Sequence, residues 1–401
     1  MVVADVQEPP SAEPNCSGSS RIIHTSSLKS DVLCVRFAPD RDYIAAAESS
    51  GVVQLIPLRR NVGLRQFELS AEDETLPCTD MAFVPRQSEK KRLLVAYASG
   101  FVRLWQITPA NSKAVLYRSW REVQYNPELP DGYVISPIED MQLSNVKFNQ
   151  LIAIASSYDG KRFVTGGSDT VVRSYEIHSS SFGRMLIPRN QFQNCHTNRV
   201  TALIYHPRGM RDASFAHTVI SGSWDGTIQA WDDRSCGSLW QHAGTNVAGP
   251  DGISIDPVRN LLITGSYRHD KVLAQVWEAR AAVAPEKARN LTSMGKPLSE
   301  INQEAGLPPT QIYVARIASD SQFMIFGGTN ANILKIVNAG TLRTFAAVTN
   351  LGSGVYSADS CSDPDDKKRF LVVFSNGFKV HVLLVDPRQS LAIEGVNVLP
   401  A

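Results

Sequence analysis

Short apolar runs recur along the chain. Each is followed within a few residues by a turn signal, and then by a second run in which apolar and polar residues alternate. Runs this short, without the three-and-four spacing of an amphipathic helix, predict strands joined in hairpins. The clearest copy is Ser221-Gly222-Ser223-Trp224-Asp225-Gly226-Thr227-Ile228-Gln229-Ala230-Trp231-Asp232. Val219, Ile220 and the Ser-Gly-Ser run form a first strand whose small residues let neighbouring backbones approach. Asp225-Gly226 supplies the turn, since Gly takes positive φ without strain. Ile228 and Ala230 then alternate with Thr227 and Gln229, the period of a half-buried strand.

The unit returns at intervals, which makes internal repetition the first question for the fold. With Asp225 as the anchor, a strand Ser lies before it (Ser221) and an aromatic after it (Trp231). The third unit has Thr165, Asp169 and Tyr175 in these places. The second has Ser99-Gly100 at the turn and Trp105 after it, with Val95 where the strand hydroxyl would stand. The first has Ser50-Gly51, preceded by an apolar strand at 32–37 and the turn Ala38-Pro39-Asp40. The fifth runs through 261–266 and Val276-Trp277-Glu278, the sixth through 323–328 and 333–336, and the seventh through 370–374, Asn376-Gly377 and 378–382. That makes seven units, with anchors roughly 45 to 70 residues apart.

These motifs resemble the WD repeat, the unit of a β-propeller. In that family a His before the first strand bonds the turn Asp and a strand Ser or Thr, which bonds the Trp indole. The resemblance places these roles on His196, Asp225, Ser221 and Trp231. It gives Thr165, Asp169 and Tyr175 to the third blade, where no His stands in the expected place, so that tetrad is expected to be incomplete. The resemblance implies an all-β fold, a seven-bladed WD-repeat β-propeller closed into a single ring. A four-stranded blade cannot bury its own faces, and closure removes the free edges. Closure is expected either from an early strand at 21–25 pairing outside 378–385, or from the run at 391–398. Two long connections break the spacing. Residues 121–150, with Tyr125 and Tyr133, link blades two and three and are expected to add to a partner surface. Residues 281–311 link blades five and six, and 298–305 reads as a short helix. Connections of this length are usually functional or disordered.

Composition narrows the classes. The 401 residues carry 40 Lys and Arg against 39 Asp and Glu, so no global charge draws the chain to nucleic acid or an anionic membrane. Lys90-Lys91-Arg92 and Lys367-Lys368-Arg369 read as solubilising loop charge. Cys16, Cys34, Cys78, Cys195, Cys236 and Cys361 show no metal-ligand or redox spacing. Residues 1–18, rich in Pro, Ser and Glu, read as a disordered tail before a single domain at 19–401. The start lacks a signal-peptide pattern, and no apolar run approaches membrane-spanning length. The expected setting is cytoplasmic, or nuclear. No phosphate-cradling loop or nucleophile elbow is present and the eight His residues are dispersed, so neither catalysis nor a metal or other cofactor is expected.

Binding is the remaining class. Trp224 and Tyr267 lie at turn tips, where exposed aromatics serve as interface anchors unless they pack across a neighbouring blade. Trp231-Asp232-Asp233-Arg234 and Trp277-Glu278-Ala279-Arg280 resemble the Trp-Asp-x-Arg boxes of cullin–RING ubiquitin ligase substrate receptors, whose Arg contacts the ligase's adaptor. The second box departs from that pattern in having Glu for Asp. The expected function is a non-enzymatic scaffold, a WD-repeat subunit or adaptor of a larger complex. A ligase substrate receptor using Arg234 and Arg280 is the alternative.

Overall fold

Gly226 sits at φ +79°, a region L side chains enter only with strain, and turns the chain between Thr218–Ser223 and Thr227–Asp232. These strands are the middle pair of a four-stranded antiparallel blade, with Val200–Tyr205 innermost and Ser238–Ala243 outermost. The computed structural model describes residues 13–58, 64–85, 91–108, 112–125, 147–179, 184–186, 195–235, 237–268, 272–279, 296–303 and 309–388. Within them the blade pattern occurs seven times around a ring. The innermost strands, in blade order, are Val32–Phe37, Cys78–Phe83, Leu151–Ser156, Val200–Tyr205, Ile253–Asp256, Gln311–Ile317 and Ala358–Ser362.

The apolar pattern explains why no blade stands alone. Buried side chains fall into seven clusters, each shared by two neighbouring blades. Between blades three and four, Val164, Val172 and Leu186 meet Val200, Val219 and Trp231. Between blades seven and one, Val373 and Val382 meet Val35 and Ile44. At about 25 cal/mol per Å² of apolar surface, burial between sheets is the main stabilising term.

An early strand closes the ring. Ser20–Ser27 pairs antiparallel with Lys379–Val385, with Ile22 opposite Leu383 and Thr25 opposite His381. The other candidate, 391–398, lies outside the described residues. Two expectations are corrected. The tail assigned to 1–18 ends sooner, because Asn15–Gly18 forms a fifth strand on the outer edge of blade six, paired with Thr344–Thr349. Its sequence, Asn-Cys-Ser-Gly, offers only Cys16 to the apolar cluster, so no alternation marked it. The helix expected at 298–305 is also absent from its described part. Ser299–Asn302 is the outer strand of blade five, with Ile301 buried opposite Ala274. Leu298 is exposed and Ile301 alone packs inward, so edge pairing with Val272–Glu278 decides the conformation.

The centre of the ring is crossed by charge. The short turn Pro250–Gly252, just before the inner strand of blade five, touches the inner strands of blades three, four and six. It carries Asp251 onto the axis. The Asp251 carboxylate accepts from Arg36 of blade one at 2.8 and 3.0 Å, from Arg316 of blade six at 3.2 Å, and from Ser357 Oγ of blade seven at 2.5 Å. Arg36 also reaches Asp80 of blade two at 2.8 Å, and Asp80 accepts from the Ile154 N–H of blade three at 2.9 Å. Arg316 continues to Asp359 of blade seven at 2.9 Å, which accepts from the Phe37 N–H of blade one. The two carboxylates beside Arg36 are pushed apart. Burial raises the Asp80 pKa despite the guanidinium, whereas two guanidiniums and Ser357 outweigh burial and lower that of Asp251.

The closing seam holds a buried histidine. His381 stacks on Phe374 and its Nδ1 lies 2.9 Å from Thr25 Oγ1 on the closing strand. Burial, with Lys379 nearby, pushes its pKa down to about 4, and burial does the same to His206 in blade four. A histidine neutral in the fold but protonated in the unfolded chain gives its full contribution above the unfolded pKa of about 6.5. That contribution is lost as pH falls toward 4. Hydrogen exchange at Ser20–Ser27 is therefore expected to quicken, relative to intrinsic rates, between about pH 6.5 and 4. Unchanged protection over that window would contradict the assignment.

Candidate functional site

Blade four carries a continuous polar brace. His196 enters from the loop before the inner strand, with Nδ1 2.8 Å from Asp225 Oδ2 and Nε2 2.7 Å from Ser221 Oγ. Ser221 Oγ accepts from the Trp231 indole N–H at 2.8 Å. The brace ties the incoming loop, the turn and two strands of one blade. Burial opposes ionisation of Asp225. Bonds from His196, Thr227 and the Thr197 N–H nevertheless bring its pKa down to about 2. A buried polar chain is tolerated only when its members are paired, and here each link has a partner.

Blade three corrects the expectation of an incomplete tetrad. Glu122 stands where the histidine was sought, and accepts from Thr165 Oγ1 at 2.5 Å and from the Tyr175 hydroxyl at 2.8 Å. Arg173 lies 3.2 Å from Glu122 and 2.5 Å from Asp169, bridging both acids. Burial works against the charge of Arg173, but the two carboxylates more than restore it and raise its pKa. Asn149 completes the set by donating to Glu122 at 2.9 Å and accepting from the Asp169 N–H at 3.2 Å. Blade two follows the same scheme. Glu74 accepts from Ser99 Oγ at 2.6 Å and faces Arg103 at 3.6 Å, while Trp105 packs against the apolar cluster with Val95. In blade five the Trp277 indole N–H donates to Thr264 Oγ1 at 3.0 Å.

The family description "WD domain, G-beta repeat" matches residues 20–56 and 188–232, the closing strand with blade one and the whole run up to Trp231-Asp232. With the seven-bladed ring, this decides the family. The chain is a WD-repeat β-propeller. Among curated proteins, none matches it significantly. WD-repeat propellers act as protein-interaction scaffolds, and the fold is typical of non-catalytic proteins.

The turn face of this WD-repeat propeller carries an arc of aromatic side chains. Trp224 is 52 % exposed, donates its indole N–H to the Ala248 carbonyl at 3.4 Å, and lies under the Arg199 guanidinium at 4.5 Å. Tyr267, 38 % exposed, meets Tyr313 edge-on at 5.3 Å, and Tyr313 meets Tyr356 at 5.0 Å. The arc thus runs over blades four to seven. Each of the two turn aromatics leans on a neighbouring blade and leaves a large fraction of its surface in solvent. Tyr313 and Tyr356, which the sequence pattern did not single out, lie at or just before inner strands. Their only signal was an aromatic beside the inner-strand start in consecutive blades.

The remaining candidates are dispersed. Tyr125 donates its N–H to Asp169 at 2.9 Å and helps line a cleft of about 240 Å³ between blades three and four, with Cys195, His196 and Trp231. Tyr133 and Arg280 lie outside the described residues. Arg234 is on the opposite face, 62 % exposed in its side chain, with its guanidinium forked onto Asp232 at 2.6 and 2.9 Å. His217, Asp232 and Asp233 cluster there too, but Asp233 is occupied by His217 at 2.6 Å, Tyr205 at 2.9 Å and Arg162 at 2.8 Å. The basic stretches differ from the loop reading in one respect. Lys91 and Arg92 open a strand, Lys91 pairing with Asp40 and Asp42 and Arg92 lying over the Tyr117 ring. Arg369 pairs with Asp363 at 2.8 Å.

Proposed function

We propose that the protein is a non-enzymatic subunit or adaptor that holds protein partners through its turn face. The carrying observation is the arc of Trp224, Tyr267, Tyr313 and Tyr356 beside Arg199. Aromatic and Arg side chains dominate interface hot spots. These are held by packed blades, so little conformational entropy is lost on binding. The test is affinity purification of the intact chain from its native cells, with mass spectrometry of what co-purifies. The expected result is a stable set of other subunits that is lost with Trp224→Ala plus Tyr267→Ala. Stability of that variant is expected to change by less than about 1 kcal/mol, as for surface positions. Retention of every partner by the double variant would reject the turn face.

A second reading, a cullin–RING substrate receptor, is supported by the exposed Arg234 guanidinium on the face opposite the arc. In that case a cullin and its adaptor co-purify, and Arg234→Ala plus Arg280→Ala removes them while sparing partners held by the arc. A pull-down without a cullin would reject this reading.

A further inference from the structure

We propose that the outer edge of blade two takes an added antiparallel strand from a partner protein, an extended segment with acidic residues among apolar ones. The edge is strand Lys113–Arg121, Lys-Ala-Val-Leu-Tyr-Arg-Ser-Trp-Arg, which pairs inward with Phe101–Thr108 and has no strand on its outer side among the described residues. It is nine residues long, against eight for the closing strand Ser20–Ser27 and two to six for Phe67–Leu69, Arg184–Met185, Ser238–Ala243, Ser299–Asn302 and Thr344–Thr349. Val115, Leu116 and Tyr117 are exposed in succession, the first at 64 %. An exposed, apolar edge is a template for strand addition, and contains no Pro to block it.

The ring itself shows that a fifth strand fits. Blade six accepts Asn15–Gly18 on the outer edge of Thr344–Thr349, in antiparallel register from Asn15↔Thr349 to Gly18↔Ala346. In blade two the register breaks between Leu116 and Arg118, so Lys113–Leu116 forms a regular stretch of the same four-residue length. This stretch, with Tyr117 beside it, is the assigned seat.

Charge selects the occupant. The strand carries Lys113, Arg118 and Arg121 and no acidic residue. Arg118 donates to the Ile177 and Ser179 carbonyls of blade three, and Arg121 lies over the Phe101 and Phe148 rings. The cations beside the seat are therefore Lys113 and Arg92, which lies 4.7 Å over the Tyr117 ring. A second copy of the same edge would set cation against cation, which is unfavourable for directly opposed residues. A segment alternating acidic and apolar residues matches both the charge and the exposed side chains. The inference goes beyond the turn-face reading and does not depend on it, since the edge lies on the ring's perimeter.

The probes are a fluorescent peptide alternating glutamate with valine and its lysine counterpart, titrated by anisotropy against the full chain. The glutamate peptide is expected to bind at least about tenfold tighter than the lysine peptide, as a few opposed charge pairs would give. It should slow hydrogen exchange within Lys113–Arg121. Val115→Glu plus Tyr117→Glu is expected to abolish binding, and Lys113→Glu, which leaves the apolar residues in place, to weaken it about threefold. Equal binding of the two peptides, no binding of either, or protection elsewhere on the ring would overturn the proposal. So would concentration-dependent dimerisation with protection of this strand, which would assign the edge to a second copy.

Discussion

Arg173→Met is expected to lower stability by about 3–5 kcal/mol, the usual cost of removing one partner from a buried ion pair. Glu122, Asp169 and Arg173 are all nearly inaccessible to water, and the guanidinium is the cation between the two carboxylates. Removing it leaves two buried negative charges facing each other, with Thr165, Tyr175 and Asn149 still donating to Glu122 and the Tyr125 and Val171 N–H groups to Asp169. Methionine keeps much of the aliphatic volume, so the loss reports charge more than packing. The triple change Glu122→Gln, Asp169→Asn and Arg173→Met is expected to recover a large part of it, because no buried charge is then unpaired. Urea unfolding checks both. A single variant as stable as the parent would mean that the brace in blade three contributes little.

Trp231→Ala carries the second large effect, also about 3–5 kcal/mol, as for large buried aromatics. Trp231 is 1 % exposed and packs against residues of both blade three and blade four, so the cavity opens at the boundary between them. Trp231→Phe separates packing from polarity. It keeps an aromatic ring but loses the indole bond to Ser221, a loss of about 1 kcal/mol. Thermal melts of the two variants should differ accordingly. Melting of Trp231→Ala at the parent temperature would remove Trp231 from the structural core.

The architecture was legible because a propeller writes its period into turns. Asp225-Gly226, Asn376-Gly377 and the two Ser-Gly pairs mark hairpins locally, and apolar strands around them need no distant information. The braces were legible only where they follow the family's spacing. His196 lies 29 residues before Asp225, within reach of a local search, but Glu122 lies 43 before Thr165 because the long connection intervenes. A usable signal was nonetheless present. Four residues after the turn anchor, blades two and three carry Arg103 and Arg173 where blade four carries Gln229. A buried cation there calls for an acid from the incoming loop, which Glu74 and Glu122 supply. Asn15–Gly18 and Ser299–Asn302 were invisible for another reason: each adds to an existing edge through backbone bonds and contributes one side chain to the core. The axial Asp251 gave no local sign at all, since its partners Arg36, Arg316 and Ser357 come from blades one, six and seven.

The contact between Arg36 and Asp251 bears on how the protein could have evolved. Rings of repeats can gain or lose a unit by duplication or deletion, because each blade otherwise interacts only with its neighbours. Arg36 and Asp251 break that rule by measuring the diameter. An eighth blade would widen the opening and part them, and a sixth would crowd the turn that carries Asp251. The contact therefore acts as a gauge, tying the number of blades to the reach of one ion pair across the axis.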